Sequence, residues 1–330
     1  MNNSQKPSFS VVIPTLNSAK TLQLAMDRLD SPLVHEVIVV DNGSTDETVA
    51  VSRVRGAKVL EAPHASIATL RNLGARQAAA SYLLFLDSDA ILPKSYFEIA
   101  AELFQDSSAI AVGCNEEGMP HNVTWVPRVW NMHLGSHSPD GESEWLATLA
   151  LAVRRFDFEA VGGFREDLKT CEDVDLGYRL SLRGRLLSDS RLRTLHLGNY
   201  STVADFFLVE LWRGGSALKV ALENWRRPKE ALYLMLLLWC LGSSCCLTWG
   251  LVTTELNVLV AGILMPTTAA SLLMLRSGRC SGRLLFLYLV YFLARTISVF
   301  YSPARKINRS GNKPLGDSRE PQSGNRDENR

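Results

Sequence analysis

Short apolar runs alternate with stretches of helical spacing through the first 90 residues. Phe9–Pro14 (FSVVIP) is a β-branched run that predicts a buried strand, stopped by its proline. Asn17–Leu29 then places Leu22, Leu24, Ala25 and Leu29 at helical intervals. Glu36–Val40 (EVIVV) reads as a second strand, closing on Asp41-Asn42-Gly43. Thr45–Arg53 predicts a helix with Ser44 or Thr45 as its cap and an acidic first turn. Lys58–Glu61 is a third strand, Ile67–Ala80 a helix and Tyr82–Leu86 (YLLFL) a fourth strand. Beyond residue 90 the alternation blurs. Glu142–Val153 reads as a strand region, Gly162-Gly163-Phe164 as a tight loop and Glu172–Leu182 as a helix. On that helix Asp175 and Arg179 form an i, i+4 pair worth about 0.5 kcal/mol or less.

Strands alternating with helices imply right-handed crossovers, hence an α/β chain with a mostly parallel sheet and helices on both faces. Ligands of such sheets gather at the carboxyl ends of the strands. Thr15 and Asn17, Asp41 and Asn42, and Asp87 and Asp89 all stand just beyond predicted strand ends. Three strands thus deliver three polar clusters to one edge, as a nucleotide site requires.

The C-terminal third has a different pattern. Ala231–Thr254 carries no charge over about two dozen positions, enough to cross a hydrocarbon core of roughly 30 Å. Leu256–Leu275 is a second uncharged run, with Pro266 a tolerated kink. Separated only by Glu255, the two read as a helical hairpin. Leu284–Tyr301 is interrupted by Arg295 and reads as a third span, a re-entrant piece or an interfacial helix. Arg226, Arg227 and Lys229 precede the first run, and Arg276, Arg279 and Arg283 follow the second. The positive-inside rule places both basic flanks in the cytosol. The segment 203–230, with Phe206, Phe207 and Trp212 among charges, suits an amphipathic interfacial connector or an ordinary surface helix. The polar, charge-mixed tail from Ser302 to Arg330 is expected to be disordered. Residues 1–202 remain as the catalytic domain.

Composition narrows the function. A net charge of +1 carries no nucleic-acid signature. Met1–Ser10 is polar and shows no secretory leader, so the first domain is expected on the cytoplasmic face. The sequons at Asn122 and Asn199 are therefore read as chance, and the six cysteines, without a CxxC pair, as small buried thiols.

Group transfer from a nucleoside diphosphate to a hydroxyl needs a grip on the base, neutralisation of the leaving diphosphate and removal of the acceptor proton. Mg²⁺ or Mn²⁺ commonly does the second through one or two carboxylates plus phosphate oxygens. Asp87-Ser88-Asp89 beyond the YLLFL strand supplies such carboxylates. VVIPTLN (11–17), VDNGSTDET (40–48), LRNLGA (70–75), FLDSDA (85–90) and GGF…CEDVDLGYR (162–179) together resemble family 2 glycosyltransferases of the Rossmann-like GT-A fold. The resemblance spans roughly residues 1–200. It implies that Asp41, with Thr15 nearby, meets the nucleobase and Arg71 the base or diphosphate. It further implies that Asp87 and Asp89 hold ribose and metal, with His196 near the diphosphate or metal. Glu172 and Asp173 would be the catalytic pair, Asp173 acting as general base.

Asn42 stands where many members carry a second aspartate, and Ala68-Thr69-Leu70 replaces the usual small-residue lead into Arg71. No QxxRW is present, the nearest feature being Glu210-Leu211-Trp212-Arg213, so a single-addition enzyme is expected. The expectation is an inverting, metal-dependent transferase, multi-pass in the cell membrane, using a UDP-sugar or related donor and a lipid-linked or glycan acceptor. The rivals are a polyprenyl-phosphate glycosyltransferase, which needs no base, and a silent GT-A assembly partner. A nicotinamide dehydrogenase is disfavoured because no GxGxxG follows the first strand.

Overall fold

The computed structural model describes residues 7–135, 140–198 and 200–301. Its first elements are β1 (Phe9–Thr15), α1 (Ala19–Met26), β2 (Val34–Asp41), α2 (Thr48–Val54), β3 (Lys58–Glu61), α3 (Ile67–Arg76) and β4 (Tyr82–Leu86). There follow β5 (Ala90–Ile91), α4 (Tyr96–Leu103), β6 (Ala109–Gly113), α5 (Trp125–Gly135), β7 (Gly141–Ser143) and β8 (Ala150–Arg154). Then come α6 (Arg155–Ala160), α7 (Glu172–Leu180), β9 (Arg185–Ser188) and β10 (Leu195–His196). The last four helices are α8 (Val203–Glu223), α9 (Pro228–Thr253), α10 (Leu256–Arg276) and α11 (Gly282–Ser298).

Eight strands form one sheet in the order β3-β2-β1-β4-β8-β6-β9-β7. The first four pair in parallel, as the alternation predicts. Beyond β4 the sheet is mixed, since β8 runs antiparallel to both β4 and β6. Every residue of β1 is buried, which explains its unbroken apolar and β-branched run. Two cores cover the two faces. Phe9, Val11, Leu84, Tyr96 and Phe97 build one, and Val12, Ile38, Phe85, Phe158 and Phe164 the other.

Some local expectations change. The helix predicted from Thr45 begins at Thr48 with no acid in its first turn, because Ser44 and Thr45 are taken up by the preceding turn. The strand region 142–153 is two strands separated by residues 144–149. The thiols are not uniformly buried, because Cys245 and Cys280 are exposed.

Among the described residues α9 and α10 are long and apolar enough to cross a membrane. Only 17% and 22% of their most apolar stretches are buried within the chain, unlike a core helix of a soluble domain. α8 carries a capping box at Thr202 and Asp205 and buries Phe206, Leu211 and Val220. α11, at 17 residues, buries Leu284, Leu287, Tyr288 and Phe292. A third core joins these helices to Val126 and Trp130 of α5. The tail from residue 302, the sequon residue Asn199 and the first six residues lie outside the described set.

Candidate functional site

The carboxyl ends of β1, β2 and β4 bring the predicted polar residues to one edge. Asp41 is 2% exposed and its carboxylate is fully engaged. Oδ1 accepts from Thr15 Oγ1 at 3.2 Å and Ser44 Oγ at 2.5 Å. Oδ2 accepts from the backbone N–H groups of Gly43 and Ser44 at 2.9 and 2.8 Å. Asp41 therefore builds the turn after β2. Asn42 uses both ends of its amide on Ala65, donating at 3.2 Å and accepting at 2.9 Å. An aspartate there would lack that donor.

Arg71, on α3 and 3% exposed, is a clasp between two distant segments. It donates to Asp87 Oδ1 at 2.8 Å and to Glu172 Oε1 at 2.7 Å. Burial opposes its charge, yet Asp87 and Glu172 hold the guanidinium firmly ionised. Phe164 lies beneath it, 5.5 Å from ring centre to guanidinium carbon. Asn72 fixes Phe164 by donating to its carbonyl at 2.8 Å and accepting from its N–H at 2.9 Å. The RN and GGF motifs are thus two halves of one joint.

That joint sets the start of α7. Glu172 is buried and spent on Arg71, whereas Asp173 keeps a solvent edge and accepts from the Val174 N–H at 2.9 Å. Burial and the adjacent Glu172 raise the Asp173 carboxyl to about 7, against the pull of Arg71. A group poised there can take a proton near neutrality. Asp175 is held more deeply than its i, i+4 spacing to Arg179 alone implies. It is 5% exposed, accepts from Arg179 Nε and Nη2 at 2.9 and 2.6 Å, and accepts from Arg165 at 3.3 Å.

His196 arrives on β10, which pairs antiparallel with β5 and sets Ala90 opposite His196. Its Nε2 stands 3.6 Å from Asp89 Oδ2, and its Nδ1 2.8 Å from Glu117 Oε2. Burial alone would lower its pKa, but Glu117 and Asp89 push it up to about 10. Gly198 closes the spot, since a Cβ there would lie 2.0 Å from Asp89 Oδ2. Glu117 and Gly198 escape sequence reading: Glu117 is one of two adjacent glutamates in an irregular loop, and nothing local marks either. Once a cation displaces the His196 proton, the imidazole beside the Asp89 carboxylate fits one side of a divalent ion. Among the described residues no three His, Cys, Asp or Glu side chains are placed to hold a metal ion by themselves, Glu117 being spent on His196, so a cation here would need phosphate oxygens as well. The predicted trio divides. Asp89 and His196 meet, while Asp87 turns an oxygen to Arg71.

Residues 10–159 match the model of glycosyl transferase family 2. Validoxylamine A glucosyltransferase of Streptomyces hygroscopicus subsp. jinggangensis is 30% identical, over 57% of this chain and 54% of its own length. Succinoglycan biosynthesis protein ExoA of Rhizobium meliloti is 28% identical, over 54% of this chain and 59% of its own. The chain thus spans little more than half the length of these relatives. A mannosyltransferase from Pyrobaculum calidifontis, solved in complex with GDP-Man and Mn²⁺, shares the fold with a TM-score of 0.61. The match has 17% identity and covers 90% of this chain and 88% of that one.

Proposed function

We propose that this chain, whose residues 10–159 match glycosyl transferase family 2, moves a sugar from a nucleoside diphosphate to a hydroxyl of a membrane-associated acceptor, with inversion. The observation that carries the reading is the convergence of Thr15, Asp41, Asp87 and Asp89 at the strand ends, with Arg71 tying Asp87 to the Glu172-Asp173 pair. The buried turn at Asp41 offers a rigid seat for the base, and Arg71 holds both carboxylate segments at a fixed separation. Asp173 removes the acceptor proton as the oxygen attacks the anomeric carbon from the face opposite the leaving diphosphate. A Mg²⁺ or Mn²⁺ ion held by Asp89 and His196 would neutralise that diphosphate as a Lewis acid. The neighbour solved with GDP-Man and Mn²⁺ supports this choice of ion and donor class.

Residues 1–202 then form the catalytic domain, 203–230 a connector and 231–301 the membrane part. α9 and α10 form the spanning hairpin, with the basic flanks and the catalytic site on the cytoplasmic face. A hydroxyl acceptor is favoured over a polyprenyl phosphate because Asp173 is held where a base is useful.

Thermal-shift screening of the solubilised protein against UDP-, GDP- and dTDP-sugars with Mn²⁺ tests the donor class. Asp89→Ala should abolish the Mn²⁺-dependent part of the shift and nearly all turnover, while the apo melting temperature holds. Unchanged activity of this variant in chelator would remove the ion from the reading.

A further inference from the structure

Buried contacts from the apolar helices converge on the segment that leads into the base. Glu210 of α8, 2% exposed, accepts from Arg213 at 2.9 Å and from Arg295 of α11 at 2.7 Å. The Arg295 guanidinium also lies over the Tyr291 ring, 5.0 Å from its centre. At Gly214 the two helices touch, because a Cβ there would lie 2.0 Å from Ser298 Oγ. The charge that interrupts the third apolar run is therefore a fastener between α8 and α11.

The same stretch of α8 grips the approach to α7. The Arg213 carbonyl accepts from Thr170 Oγ1 at 2.9 Å. Ser216 accepts from the Lys169 N–H at 3.0 Å and donates its own N–H to Thr170 Oγ1 at 3.2 Å. Cys171 follows with φ +61°, a left-handed conformation that a non-glycine residue adopts only when its surroundings impose it. Glu172 and Asp173 come next. Buried ion pairs are weak sources of net stability, and among apolar helices a charge is expensive to keep. What such a pair supplies is a fixed relative position of two helices.

We propose that Glu210 and Arg295 are a positioning pair, which locks α8 to α11 and, through Thr170 and Ser216, sets Asp173 against the donor. The apolar bundle thereby governs the catalytic rate from outside the site. This rests on Asp173 being the base. Glu210 and Arg295 are paired between α8 and α11, away from the strand ends, so their loss should alter kcat and leave donor KM alone.

The test uses the full chain in nanodiscs and whichever of UDP-glucose, UDP-N-acetylglucosamine or GDP-mannose turns over, read by release of nucleoside diphosphate. Arg295→Met and Glu210→Gln should each lower kcat by about tenfold to a hundredfold, the penalty of a slightly misplaced catalytic group. Donor KM should stay within about twofold, and Arg295→Lys should restore most of the rate. Wild-type kcat in Arg295→Met, with Asp173→Asn inactive, overturns the positioning role alone. Full activity in Asp173→Asn removes the base and this proposal with it. Loss of UDP and GDP binding in Arg295→Met would show that the pair supports the whole fold, which also overturns it.

Discussion

Asp173 sits where a carboxylate is costly to charge, and that cost has two opposite consequences. Burial and Glu172 raise its carboxyl to about 7, and a base works only when ionised, so turnover should rise with pH through about 7 and then level off. Stability runs the other way. The folded chain holds this proton more tightly than the unfolded one, so the contribution is present at acid pH and lost as pH climbs through 7. Asp173→Asn should therefore cost roughly 10²–10⁴ in kcat and leave donor affinity little changed. It should also melt above the parent at pH 8, by a margin that shrinks at pH 5. A pH–rate profile with melting curves at both values reads all of this, and an undiminished rate in the variant would move the reading to a phosphate acceptor. The identity of such residues was legible in the sequence, but their partners were not. The segment VDNGSTDET marks Asp41 as special without showing that four donors already saturate its carboxylate. Arg71 is likewise visible as a motif residue, while its role as a clasp depends on Glu172, 101 positions away.

The strands and helices preceding residue 90 follow from local pattern because the central strands are buried on both faces and the helices bury one face against them. The mixed half of the sheet was not readable, since β8 inserts between β4 and β6 by long-range pairing that leaves no mark on its own apolar run. The two-residue strand β10 was equally hidden, and it is what carries His196 to Asp89. The α7 helix shows the same gap between pattern and place. Its i, i+4 pair is real, yet it faces inward and Arg165 joins it. Asp175→Asn should then cost about 1.5–3 kcal/mol, the range for hydrogen bonds to charged groups, well above an exposed pair. Chemical denaturation of the solubilised protein measures this, and a loss below about 0.5 kcal/mol would show that Asp175 contributes no more than a simple i, i+4 pair. Its kcat should change less than that of Asp173→Asn, because Asp175 faces Arg165 and Arg179 and not the donor edge.

At the scale of the whole molecule, the two sheet cores and the third core separate donor binding from base placement. Every residue of the two sheet cores lies between Phe9 and Leu192. Ending the chain at Asn224 would therefore leave Thr15, Asp41, Asp87 and Asp89 on an intact scaffold. The base helix loses more. Glu230 at the start of α9 accepts from Tyr178 of α7 at 2.5 Å, and Arg227 lies 4.1 Å from the centre of that ring. α8 would also part from α11, and Val126, Trp130 and Phe206 would lose their apolar cover. The truncated chain is thus expected to bind UDP or GDP with Mn²⁺ within a few-fold of the full chain, since uncoupled parts fold on their own cores. Its turnover should fall by about tenfold or more, because the base is no longer held in register. It should also self-associate through the uncovered patch. Calorimetry, nucleoside diphosphate release and size-exclusion chromatography on one preparation read the three outcomes. A truncated chain that keeps its circular dichroism but binds neither nucleotide would refute the division, because the donor edge would then depend on helices that lie outside both sheet cores.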